Sequence, residues 1–254
     1  MKSAIKLLTV FFLGTTISVS AHKIRGSYFD SNLSSNQDQS IVHQLPHSAM
    51  VTSKSTTEGR QSALIIVDMS VEQVADLSYR KQDTINSIIQ LVNNANFDLI
   101  VDSHLWIGPD DESSLPDLYP HVGRKGTDGA ELIPELKKTL SSSQSEVVFV
   151  PKYNYSSFAK PSKLDQILQS HGITDVYVVG INTDYCIFAT SLDAFYARYQ
   201  VYVVEEGVSS ALGGTGHFQG LSEISKFSCA QIVSMNDVLQ SAPLPERKAI
   251  SWPP

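Results

Sequence analysis

From Ser62 onward the chain alternates between short apolar runs rich in β-branched residues and longer stretches whose apolar positions recur at helical spacing. The short runs predict strands at ALIIVD (63–68), DLIVDS (98–103), EVVFVPK (146–152), DVYVVG (175–180), VYVVEE (201–206) and, more weakly, AQIVS (230–234). Most are apolar at consecutive positions rather than at every second one, which is how a strand reads when both faces of its sheet are covered. Residues 76–95 carry Leu77, Ile85, Ile88, Ile89 and Val92 at near-helical spacing, and 161–171 opens on Pro161 and stops before Gly172. Residues 183–199 and 235–240 complete the expected helices. Strands alternating with helices predict a three-layer α/β/α domain around a mostly parallel sheet. The connection 105–133 has no strong period and is rich in Gly, Pro and Asp. A loop of that length in a compact domain usually carries function.

The domain expected from this pattern runs over 60–242, with a C-terminal tail over 243–254. Before it, residues 22–59 are dominated by Ser, Asn, Gln, Thr and His, too polar to offset the entropy of ordering, and read as a flexible leader. Residues 1–21 have a positive start (Lys2, Lys6), the apolar run LLTVFFLGTTISV, and small residues Val19 and Ala21 before a cut after Ala21. That is the layout of a cleaved secretory signal, and it predicts a secreted or extracytoplasmic protein with no membrane attachment after cleavage. Its apolar run is short against the roughly 20 residues that span a bilayer.

At 254 residues, 42% hydrophobic and 18% charged, the composition is ordinary for a globular chain. The formal net charge of −7 becomes −9 once Lys2 and Lys6 are removed, and no basic cluster offsets it, so nucleic acid is a disfavoured partner. Cys186 and Cys229 are the two cysteines, too few for a disulfide scaffold or a thiolate zinc site. In an oxidising compartment they can pair with each other.

Ligands of an open parallel sheet bind at the carboxyl ends of its strands. Asp68, Lys152 and Cys186 all fall at such ends. Taken singly they have ordinary explanations: an Asp there caps a turn, a Lys is solvated, and a Cys is inert core. Taken together they compose a nucleophile with its activating groups. With Thr183 as N-cap, Cys186 sits in the first turn of a helix, where unpaired N–H groups and a nearby Lys152 favour a thiolate. Asp68 then serves as the base that takes the thiol proton and later supplies one to a leaving amine.

Three segments, ALIIVDM (63–69), VVFVPKYNYSSF (147–158) and VVGINTDYCIFATSLDAFYARYQVYVVEEGVSS (178–210), resemble the isochorismatase-like cysteine hydrolases, the superfamily that includes nicotinamidases. The G-x-x-T-D-Y-C followed by T-x-x-D-A carries most of the resemblance. It implies a Rossmann-like sheet, the catalytic trio Asp68, Lys152 and Cys186, a cis peptide at Ile181-Asn182, and an oxyanion hole from the N–H groups of Asn182 and Cys186. GTDGAEL (126–132) is similar to the nicotinamidase G-T-x-G-A-E-L, and Asp102-Ser103-His104 to the D-x-H metal motif of those enzymes. The resemblance therefore implies one divalent zinc, iron or manganese ion on Asp102, His104 and His121, with no organic cofactor, although His121 stands one position early. These histidines have an equal explanation as polar loop residues. Where the family often has M-Q-N-D-F after the aspartate, this chain has Gln73 in place of the stacking aromatic, leaving Tyr119 to offer a ring to the substrate.

The expected partner is thus a small-molecule amide such as nicotinamide, hydrolysed to the acid and ammonia. The resemblance also allows another small amide or carbamoyl compound, and a homo-oligomer. Isochorismate cleavage is a further reading, although family members with that activity typically lack the cysteine. A secreted binding protein with Cys186 and Cys229 joined as a disulfide is the non-catalytic one. The stretch Gly213-Gly214-Thr215-Gly216 lacks the Lys of a phosphate loop and reads as a flexible turn beside the site.

Overall fold

Residues 60–227 and 229–240 are described by this computed structural model, and they form a single six-stranded sheet with helices on both faces. The expected signal segment, polar leader and C-terminal tail lie outside the described residues. In chain order the elements are β1 (Gln61–Val67), α1 (Val71–Ala75), α2 (Lys81–Asn94), β2 (Leu99–Ser103), α3 (Leu115–Leu118), α4 (Pro134–Ser141) and β3 (Glu146–Phe149). Then follow α5 (Leu164–Ser170), β4 (Ile173–Ile181), α6 (Phe188–Tyr196), β5 (Gln200–Ser209), α7 (Gly213–Phe227), β6 (Gln231–Val233) and α8 (Met235–Leu239).

The strands lie in the order β3-β2-β1-β4-β5-β6, and every neighbouring pair is parallel. The chain begins at the centre, builds outward through β2 and β3, then returns to lay β4 on the other side of β1. That reversal between β1 and β4 leaves a crevice at their carboxyl ends, the place where such sheets take ligands.

The consecutive apolar runs follow from this covering. Ala63, Leu64, Ile65, Ile66 and Val67 of β1 are all fully buried. Ala63, Ile65 and Val67 join Val101, Val178 and Val203 under Leu164 and Leu168 of α5, Ala194 of α6, and Leu221 and Ile224 of α7. Leu64 and Ile66 face the other way, with Ile100, Val179 and Ile181, onto Ile88 and Leu91 of α2 and Leu136 of α4. Each such side chain withdrawn from water contributes about 1.5–3 kcal/mol, so the strand pattern itself fixes the layers.

Several boundaries differ from the sequence pattern. The helix expected over 76–95 starts only at Lys81, because Arg80 takes a left-handed conformation (φ 47°) and the chain turns before α2, while the separate short helix α1 precedes the expected range. The strand expected to reach Lys152 is regular only to Phe149, although Val150 and Lys152 still bond to the chain beyond β2. Pro161 stands in a turn after a cis bond, and α5 starts three residues later, where the Ser162 hydroxyl accepts the Leu164 N–H. Gly213–Gly216 is no turn: it forms the first residues of α7.

Candidate active site

Asp68 leaves the end of β1 in a left-handed conformation (φ 55°), which Asp tolerates better than most residues. Its N–H still bonds the Ser103 carbonyl of β2, so the turn is anchored while the carboxylate swings across the strand ends. One carboxylate oxygen accepts the Leu105 N–H at 3.2 Å, and the other accepts the Lys152 ammonium at 2.6 Å.

Lys152 lies past β3, yet the ladder resumes around Pro151. Val150 N–H bonds the Asp102 carbonyl, Lys152 N–H bonds that of His104, and Lys152 pairs with Leu105. This pairing places the lysine beside the backbone that holds Asp68. Its Nζ also lies 3.4 Å from Cys186 Sγ. Asp68 and Lys152 are both fully buried, and Cys186 is 6% exposed. Residues 84 and 34 positions apart in sequence thus meet at the reversal point of the sheet.

Cys186 lies in a wide turn of π type, Thr183–Ile187, that links β4 to α6. Insertions of this kind recur at functional sites. Two residues before the peptide that opens this turn, the sheet is unusually tight: Gly180 has φ 113°, and a Cβ there would sit 2.0 Å from the Val67 carbonyl oxygen. The Ile181–Asn182 peptide is cis, as the resemblance implies. Asn182 Oδ1 accepts the Ala211 N–H at 2.7 Å, and Asp184 accepts the Ser210 hydroxyl at 2.7 Å. The N-cap position falls to Asn182 rather than Thr183, and it makes no side-chain capping bond. The Thr183 hydroxyl meets His217 Nδ1 at 3.1 Å.

Enclosure of the sulfur works against the thiolate that the sequence leads one to expect. Burial and the Asp68 carboxylate push the Cys186 thiol up to about 12, while Lys152 works in the opposite direction. Enclosing the sulfur disfavours its charged form more than one ammonium favours it, because that ammonium is already committed to Asp68. For Lys152, burial disfavours the charge, but Asp68 and then Cys186 outweigh it and hold the pKa above its ordinary 10.5. Cys186 and Cys229 are both buried and are not joined to each other in this structure, so the disulfide alternative is not realised here.

Tyr119, the aromatic expected at the substrate, is 44% exposed, and its hydroxyl bonds that of Tyr155 at 3.3 Å. Tyr155 stacks on Tyr185, the neighbour of the nucleophile, with ring centroids 6.0 Å apart. Sequence reasoning missed Tyr155 and Tyr185. The signal available was their placement, three residues after Lys152 and one before Cys186. The long connection is no open loop: Leu105, Ile107 and Leu115 pack with Tyr153 and Tyr155 in a small apolar cluster. GTDGAEL docks on the α1 side, where Val71 N–H bonds the Glu131 carbonyl and Ile133 N–H that of Met69. Gln73 accepts the Ser70 hydroxyl at 2.9 Å.

Asp102, His104 and His121 are not gathered as ligands. Asp102 is engaged with His104 Nδ1 at 2.7 Å, the imidazole packs against Phe149 and Trp106, and His121 lies on an exposed turn. Among the described residues no three His, Cys, Asp or Glu side chains are grouped to hold a metal. These residues as arranged do not fit a metal ion.

A sequence model of the isochorismatase domain matches residues 62–237. The chain is 27% identical over 153 residues to the isochorismatase family protein PncA of Bacillus subtilis, covering 58% of this chain and 80% of that protein. It is 35% identical over 99 residues to the ureidoacrylate amidohydrolase RutB of Variovorax paradoxus, covering 39% of this chain and 36% of that protein. Among solved structures, the pyrazinamidase/nicotinamidase of Streptococcus mutans superposes with a TM-score of 0.58 at 26% identity, over 68% of this chain and 100% of that one.

Proposed function

The chain belongs to the isochorismatase family, and from that premise we propose that it hydrolyses a small planar amide through a thioester on Cys186, with nicotinamide the first candidate. One observation carries the reading: a single buried lysine contacts both the Asp68 carboxylate, at 2.6 Å, and the Cys186 sulfur, at 3.4 Å.

In the proposed reaction the sulfur attacks the amide carbonyl carbon while Asp68 takes the thiol proton. The charge this leaves on the carbonyl oxygen is met by the N–H groups of Asn182 and Cys186, donors of a kind worth about 2.7–4 kcal/mol each when tested by removal. The C–N bond then breaks as Asp68 passes its proton to the leaving nitrogen, which departs as ammonia and leaves the thioester. Water attacks that carbonyl, Asp68 accepts a proton from it, and the C–S bond breaks. The acid leaves and the thiol regains its proton. Lys152 keeps its charge throughout, holding Asp68 in place and lowering the cost of negative charge on sulfur. The faces of Tyr119, Tyr155 and Tyr185 favour a flat substrate. Because Gln73 stands where an aromatic is usual, ureido amides, the class named for the Variovorax relative, belong in the same test.

Purified protein is expected to release ammonia from nicotinamide or from another member of a panel of small amides. Cys186→Ala should lower that rate by at least about a thousandfold while the far-UV spectrum is kept. An alanine variant as fast as the parent contradicts the proposal.

A further inference from the structure

Helix α7 approaches the turn that carries Cys186 more closely than a side chain permits. A Cβ at Gly220 would lie 2.5 Å from the Thr183 carbonyl carbon, and one at Gly216 would lie 2.9 Å from the Asp184 carboxylate. Between these glycines stands His217, fully buried. Its Nδ1 is 3.1 Å from the Thr183 hydroxyl, and its Nε2 has no hydrogen-bond partner. Tyr79 and Phe218 flank the ring, with centroids 5.3 and 5.1 Å away. Leaving a buried imidazole nitrogen unpaired is a cost an apolar side chain of similar size would avoid. The Nδ1 bond to Thr183 is what a histidine adds here.

The rest of the turn shows why that bond matters. Asn182 and Asp184 are tied to Ala211 and Ser210. Thr183, between them, is tied to α7 instead. The charged groups that face the imidazole are the Arg80 guanidinium and the Asp184 carboxylate; burial first and Arg80 second favour the neutral ring, against Asp184. We infer that His217 is a positioning residue for Cys186: by holding the Thr183 hydroxyl it fixes the first residue of the turn whose fourth residue is the nucleophile. This rests on the reading of Cys186 proposed above.

The test uses the full chain, with iodoacetamide as a probe of the thiol, followed by the mass of the Cys186 peptide, beside ammonia release from the turned-over amide. An asparagine places its amide nitrogen near Nδ1 of a histidine, whereas a glutamine reaches the position of Nε2. His217→Gln and His217→Ala are therefore expected to slow both alkylation and kcat at least fivefold with KM within twofold. His217→Asn should stay within twofold of the parent in alkylation. Thr183→Val should match His217→Ala, and the double variant should fall no further, because the two groups act through one bond. Parent-like rates in His217→Gln, an asparagine variant as slow as alanine, or additive losses in the double variant would each overturn the inference. So would a lowered melting temperature with unchanged alkylation of the folded protein, which is what packing alone predicts. If no amide is turned over by the parent while the alkylation series holds, the amidase reading fails and the positioning role stands.

Discussion

Lys152 has no exposed surface, so its ammonium depends entirely on what touches it. The contacts are a carboxylate at 2.6 Å and a sulfur at 3.4 Å, and they make the three side chains one electrostatic unit. Breaking a buried pair by removing one partner costs about 3–5 kcal/mol, so Lys152→Met and Asp68→Asn should each melt at lower temperature than the parent. Because the folded protein raises the Lys152 pKa above 10.5, the stability carried by the lysine's charge is fully present below that value and is lost as pH rises through the higher folded one. The two variants should part in their effect on the thiol. Asp68 raises the Cys186 pKa and Lys152 lowers it. Asp68→Asn should therefore speed alkylation of Cys186 at pH 8 by at least about tenfold, and Lys152→Met should slow it, while both lose ammonia release. In the parent, with the thiol pushed up to about 12, alkylation should keep climbing about tenfold per pH unit through pH 10 rather than level off near neutrality. Equal rates in the two variants, or a plateau near pH 8, would contradict this electrostatic picture. The residue types of the unit were legible from strand ends. The protonation state of the sulfur was not, because helix position and charge sign can be read along a chain, whereas the enclosure that outweighs them arises only on folding.

At the level of elements, the sheet and the helix behind the nucleophile are held at distances set by glycine. Gly180 combines a positive φ with a position where any Cβ would lie 2.0 Å from the Val67 carbonyl oxygen, so Gly180→Ala must part β4 from β1. A loss of about 3 kcal/mol or more is expected, read as a lowered urea midpoint. Gly220→Ala should cost less, about 1–3 kcal/mol, because a whole helix can shift to relieve it. That shift would move Thr183, so turnover should fall more than stability does. A variant at Gly220 that is less stable yet equally active would refute the link between α7 and the turn. Glycine also explains what the sequence concealed. Gly213, Gly214 and Gly216 make the start of α7 read as a turn, since glycine is roughly 1 kcal/mol poorer than alanine in a helix, and tertiary packing overrides that preference here. The α4 helix follows the connection read as a loop, in a stretch where the apolar pattern led to no expected element. Strands β1, β2, β4 and β5 were legible because a sheet covered on both faces demands unbroken apolar runs. Tyr155 and Tyr185 were not, since their stacking depends on how the 153–158 segment folds back over the nucleophile turn.

For the molecule as a whole, strand order decides where chemistry gathers. With β1 and β4 adjacent and the chain departing from them in opposite directions, Asp68 and the 183–187 turn are delivered to one crevice. The resumption of pairing beyond Pro151 then brings Lys152 in from the far side of β2. The long 105–133 connection packs Leu105, Ile107 and Leu115 against Tyr153 and Tyr155, and Tyr119, Tyr155 and Tyr185 form a run of contacts that ends one residue before the nucleophile. The central claim is that the acyl part of an amide passes through a covalent bond to that sulfur. It is tested most directly by mixing enzyme with an excess of the turned-over amide, quenching in acid within milliseconds to seconds, and measuring the mass of the intact protein and of its Cys186 peptide. The account predicts a transient gain equal to the acyl group on that peptide, absent from Cys186→Ala. Turnover with no adduct on Cys186 at any time, in a parent whose alanine variant still releases ammonia, would contradict it.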